Sequence, residues 1–259
     1  MTTEAEKATT SARGAIRIER GAKRLRVYLG GHIVADTTRP MLVWERPYYP
    51  TYYFPVDDVR TTMLAPSGEM YHSPSRGDAT LLTVKAPGGR QAVNAAARYE
   101  SSPIPELRDL IRFDWDAMDE WYEEDEPVYV HPRDPYTRID ILASSRYVRI
   151  EIAGVTVADS PRPRLLFETG LPVRYYLPRT DVRMDLLERT DTITRCPYKG
   201  QPEHFAARIG GEVFPDVAWS YPTPVPESQK IAGLVAFYDE RVDTFVDGVK
   251  QDRPKTHFS

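Results

Sequence analysis

The stretch Cys196-Pro197-Tyr198-Lys199-Gly200 sets a thiol, a phenol and an amine within five residues, with a proline and a glycine to hold a turn. A thiolate or an uncharged lysine is a nucleophile, and each is produced by a lowered pKa, through a nearby cation for the thiol or desolvation for the amine. Lys199, with His204 a little further on, is spaced to activate Cys196. Lys199 would itself serve as a base or an imine-forming amine if Tyr198, Trp219, Tyr221 and Phe237 walled it from water. The plainer alternatives stay open: free cysteine is among the most buried residue types, and a lysine in a turn is ordinarily solvated.

Glu168 is the carboxylate of most interest, because it closes an apolar strand where solvation is poor. A buried carboxylate must be paired or protonated. It would act as a general acid/base or simply pair with Arg174 or Arg183. Tyr175 and Tyr176 follow, and strand alternation points one of them inward and the other outward. Trp219 and Tyr221 flank Ser220 on what reads as a proline-rich loop, a setting for an exposed aromatic platform under a flat ligand or a cation. His204 follows Glu203 and reads as a hydrogen-bonded structural residue more than a catalyst. No nucleophile-elbow motif is present for a Ser-His-Asp arrangement.

The elements that must position these residues occur twice. Residues 24–77 align with 147–200 at a constant offset of 123 without a gap, giving 18 identities in 54 positions. Gly31, Asp36, Arg39, Pro40, Glu45, Tyr52, Tyr53, Pro55 and Asp58 fall on Gly154, Asp159, Arg162, Pro163, Glu168, Tyr175, Tyr176, Pro178 and Asp181. A tandem duplication follows. Alternating runs and Gly-containing turns predict a hairpin at the start of each copy, then a third strand ending near Glu45 or Glu168 and a fourth beginning at Asp58 or Asp181. Eight acids lie between Asp114 and Glu126, with Trp115, Met118, Trp121 and Tyr122 among them. Their spacing predicts a short amphipathic helix with a solvated acidic face. With 23 prolines, 16 tyrosines and few 3.6-period stretches, the fold should be mainly β. The expected organisation is a disordered tail over residues 1–15, a first repeat over 16–135 and a second over 136–259.

The repeats differ where chemistry would sit. Cys196, Tyr198 and Lys199 align with Ser73, Ser75 and Arg76, while the proline and glycine are kept. The working site is therefore expected in the second repeat.

That motif, with Ala218-Trp219-Ser220-Tyr221-Pro222, the run Ile231 to Tyr238 and Val246-Asp247-Gly248, resembles the domain-of-unknown-function 427 family across both repeats, the second matching better. The resemblance implies a β-tent-like architecture, two small antiparallel sheets leaning together over a ligand cleft. Several β-tent families hold zinc with two Cys-x-x-Cys pairs. This sequence has neither, so no metal is expected. Nucleotidyl transfer, which the family's label hints at, would need a Gly-rich phosphate loop followed by Lys-Ser/Thr or a paired-aspartate motif, and neither is present.

A net charge of −4 argues against gripping nucleic-acid phosphates. A polar start and one cysteine argue against a signal peptide, a membrane span and a disulfide framework, so the expected compartment is the cytoplasm. The expectation is a small-molecule-binding protein, without cofactor, acting on an aromatic or carbonyl/amine-containing metabolite by condensation, cyclisation or oxidation. A non-catalytic ligand-sensing or protein-interaction module is the alternative.

Overall fold

The computed structural model describes residues 16–256, and the tail expected over residues 1–15 lies outside the described residues. The chain divides into two compact units between Asp134 and Pro135. The first contains β1 (Arg17–Arg20), β2 (Leu25–Leu29), β3 (His32–Thr37), β4 (Met41–Trp44), β5 (Thr51–Pro55), β6 (Leu64–Ser73), β7 (Gly77–Lys85), β8 (Gln91–Arg98), β9 (Leu110–Phe113), β10 (Glu120–Glu123) and β11 (Glu126–Pro127). The second repeats the series as β12 (Ile139–Ala143), β13 (Val148–Ile152), β14 (Val155–Ser160), β15 (Arg164–Glu168), β16 (Arg174–Tyr176), β17 (Leu187–Arg189), β18 (Glu203–Ile209), β19 (Glu212–Ser220), β20 (Val235–Phe237), β21 (Asp243–Val246) and β22 (Val249–Lys250). The protein is mainly β, and the helical segments among the described residues are short 3-10 turns.

In the first unit a seven-stranded sheet, β1-β4-β5-β9-β8-β7-β6, leans on a four-stranded one, β11-β10-β2-β3. The second unit keeps the four-stranded sheet as β14-β13-β21-β22 but divides the larger one into β12-β15-β16 and β17-β18-β19-β20. The division falls at one junction. β5 and β9 share three residue pairs, whereas β16 and β20 are linked by the isolated bridge of Leu177 with Val235.

Both faces of the larger sheet are covered, which is why the duplicated tyrosines do not divide into one buried and one exposed. Alternation sends Tyr52 and Phe54 into the core between the sheets, with Leu25, Val27 and Trp121. Tyr53 points the other way, into a second cluster with Val43, Tyr99 and Leu107. In the second unit Tyr175 packs on the core of Val148, Ile150 and Phe237, and Tyr176 enters a cluster with Leu166, Trp219, Tyr221 and Ile231.

Two expectations need correction. The acidic segment is not a helix: Glu120 to Glu123 form β10, whose backbone pairs with β2. Sheet pairing supplies its hydrogen bonds, and burial follows a period of two, with Trp121 and Glu123 facing inward. Trp121 stacks on Trp115 at 4.5 Å, and Glu123 accepts hydrogen bonds from Tyr52 and from Lys23. Nor do Asp58 and Asp181 start a fourth strand. Each ends a 3-10 turn, followed by a single bridge, Ala35 to Val59 or Ala158 to Val182. Their carboxylates instead hold the preceding hairpin: Thr37 and Arg39 donate to Asp58 at 2.7 and 3.1 Å, and Ser160 and Arg162 donate to Asp181 at 2.8 and 3.2 Å. No helix among the described residues is long and apolar enough to cross a membrane.

Candidate functional site

Cys196 and Gly200 close a tight loop with two backbone hydrogen bonds of 2.8 Å, one in each direction. Gly200 has φ +102°, and a Cβ there would lie 3.5 Å from the Thr223 carbonyl oxygen, so the fifth residue favours glycine. Ser228 Oγ donates to the Tyr198 carbonyl at 2.9 Å and Val225 N–H to that of Lys199 at 3.2 Å. Held in this way, Lys199 reaches the end of β15 and donates through Nζ to Glu168 Oε2. The two side chains are 11% and 9% exposed, close to a buried ion pair but still touching solvent. The pairing of Glu168 with Arg174 or Arg183 does not occur. Arg183 bonds Asp185 on the surface, and Arg174 turns inward to Asp239 and Glu240.

The aromatic groups sit differently from expectation. Trp219 lies within β19 and is 7% exposed; Tyr221, just beyond the strand end, is 5% exposed. They are packed walls, not a platform on a loop, because β19 pairs on both sides, with β18 and β20. Trp219 Nε1 donates to the Tyr176 hydroxyl at 3.0 Å, and its ring meets Tyr238 at 4.4 Å. Burial raises the Tyr176 phenol; the Trp219 hydrogen bond opposes this, while Cys196 and Glu168 add to the rise. Burial likewise lifts Tyr221 well above its usual value, with Tyr176, Cys196 and Glu168 contributing. Both phenols therefore stay protonated, as hydrogen-bond donors beside Glu168 and the half-buried Cys196.

Phe237 and Tyr175 are not part of this group, since both pack on the core of the opposite sheet face. Arg174 donates to Glu240 at 2.6 and 2.8 Å and to Asp239 at 3.2 Å, with its guanidinium 5.7 Å from the Trp219 ring centre. His204 is buried opposite Trp219 in the β18–β19 ladder. Its Nε2 shares a hydrogen bond with Thr194 Oγ1 at 2.7 Å, its Nδ1 has no partner among the described residues, and burial lowers its pKa. Tyr238, Asp239, Glu240 and Ser228 were not among the sequence candidates. The acids follow an apolar run directly, and nothing in their spacing announces that Arg174, 65 and 66 residues earlier, will meet them.

The first repeat fills the same place in another way. Arg76 pairs with Glu45 through Nη1, which also donates to the Tyr53 hydroxyl at 3.2 Å; its Nε donates to Ser73 Oγ at 3.0 Å. Tyr53 in turn donates to Glu45 at 2.6 Å. Strand register places Leu81, Ala97 and Arg112 where the second repeat has His204, Trp219 and Ala236. The differences between the copies thus gather on one face of one sheet.

Among the described residues no three His, Cys, Asp or Glu side chains converge as a metal-holding group. The model of the family described as domain of unknown function (DUF427) matches twice, over residues 17–124 and 140–248. The chain belongs to that family and carries its domain in two tandem copies. No curated protein matches the chain.

Proposed function

We propose that the second repeat binds a small aromatic or carbonyl/amine-containing metabolite at the Cys196–Gly200 loop and transfers protons to or from it. One observation carries this reading. Arg76 in the first repeat is bonded at once to Glu45, Tyr53 and Ser73, whereas Lys199 bonds Glu168 alone among the described residues. An ammonium has three N–H donors, so Lys199 keeps two for a ligand, next to phenols that burial holds protonated. A substrate carbonyl would be polarised by Lys199 and a phenol, with Glu168 as acceptor for the proton released. Cys196 would stand beside the bound molecule as a nucleophile or a packing group.

The close Lys199–Glu168 pair also supports a second reading, a non-catalytic ligand-sensing module in which the ligand competes for one partner of the pair. A thermal-shift screen of metabolites on the intact protein and on Lys199→Met tests both. Ligands that stabilise the protein only when Lys199 is present support the site, and consumption of such a ligand distinguishes the enzyme from the sensor. Ligands that stabilise both proteins equally remove Lys199 from the site.

A further inference from the structure

The first repeat has an electrostatic imbalance. Arg76 pairs with Glu45, and Arg112 Nε lies 4.0 Å from the same carboxylate. No second carboxylate among the described residues pairs with either. Guanidinium groups stay charged, so one net positive charge remains where the side chains of Arg76, Glu45 and Arg112 are 8%, 14% and 25% exposed. The adjacent phenols cannot supply the missing anion. Burial raises Tyr53 and Tyr99, Glu45 adding to the rise at Tyr53, while Arg76 and Arg112 offset only part of it at Tyr99.

Donors accompany that charge. The Tyr99 hydroxyl faces the Arg112 guanidinium, which can only donate to it, so the buried hydroxyl proton has no acceptor among the described residues, and Arg112 Nε is likewise buried without a hydrogen-bond partner there. Arg76 lies over the Tyr99 ring at 5.1 Å, and its bonds to Ser73, Tyr53 and Glu45 engage Nε and Nη1 only. Register also exchanges an indole for a guanidinium here: Ala97, paired with Arg112, stands where Trp219 is paired with Ala236.

We infer that Arg112, Tyr99 and Arg76 form a binding site for a small monocarboxylate in the first repeat, separate from the site proposed in the second. A planar monoanion matches the guanidinium fork, uses the Tyr99 hydroxyl as a further donor and cancels one charge. A phosphate dianion would reverse the imbalance.

Isothermal titration of the full-length protein with acetate, benzoate and inorganic phosphate tests this, with circular dichroism to verify that each variant is folded. One carboxylate binds per chain, about tenfold more weakly in Arg112→Gln and in Arg112→Lys, which keeps the charge but loses the fork. Tyr99→Phe weakens it severalfold, and Lys199→Met leaves it unchanged. Carboxylate binding that survives Arg112→Gln but is lost in Lys199→Met overturns the inference and assigns the anion to the second repeat. Absence of binding, or tighter binding of phosphate than of either carboxylate, overturns it as well.

Discussion

Lys199 bonds Glu168 at the place in the second repeat where Arg76 bonds Glu45 in the first. A carboxylate kept at one position with two different cations separates what the fold needs, a neutralised charge at the strand end, from what only one repeat has, an amine with donors to spare.

Lys199→Met should leave Glu168 nearly buried without its cation and cost about 2–4 kcal/mol, somewhat under the loss for a fully buried pair because both side chains still touch solvent. Glu168→Gln combined with Lys199→Met should recover much of that, and Lys199→Arg should keep most of the stability while losing the ligand response. Urea unfolding of the four proteins checks the pattern; equal losses in the single and double variants would contradict it.

Among the described residues Arg174 is the one cation paired with both Asp239 and Glu240, which are 8% exposed each. Arg174→Leu strands two acids beside Trp219, and a loss of about 3–5 kcal/mol is expected in denaturant unfolding. Asp239→Asn should cost far less, because burial already raises the Asp239 pKa and its bond from Thr244 Oγ1 at 2.6 Å can persist.

Burial lowers His204 below its ordinary value, so the unfolded chain binds the extra proton first. Its contribution is present above about pH 6.5 and is lost as pH falls through the lower folded value. His204→Leu, the residue at the matching position 81, should remove this slope. Urea midpoints at pH 7.5 and 5 should differ less in the variant than in the parent, the remainder including His131, which burial also lowers.

Asp181 is held down to about 2, with the Arg162 hydrogen bond as the largest cause. The folded value lies below the unfolded one, so its stabilisation is complete above about pH 4 and disappears as pH falls through the folded value. Asp181→Asn should lower the thermal midpoint at pH 7 and flatten its decline between about pH 4 and 2. An unchanged acid profile would show that the hairpin is held by other contacts.

The duplication, the mainly β character and the hairpins were legible in the sequence because each rests on local pattern: an offset of 123, alternating apolar residues and glycines at turns. The acidic segment misled because Trp115, Met118, Trp121 and Tyr122 satisfy a helical spacing, whereas pairing with β2 imposes a period of two. The Lys199–Glu168 contact was half legible. Both residues stood out by type, but their pairing was decided by a strand end and a tight loop that lie 31 residues apart in sequence. The burial of Trp219 was hidden by the prolines that follow it, which suggested a loop where β19 still runs.

The single bridge between β16 and β20 has a kinetic consequence. Leu177 and Val235 exchange two hydrogen bonds, of 2.8 and 2.9 Å, at a seam flanked by Tyr176 on one side and Ala236 on the other. A seam with one rung parts at lower free energy than a three-rung ladder. Amide deuteration at Leu177 and Val235 should therefore outpace that at Phe54 and Ile111, the corresponding pair in the first repeat. The second repeat would then breathe along the very line where its aromatic walls meet, a motion that the longer ladder of the first repeat holds down.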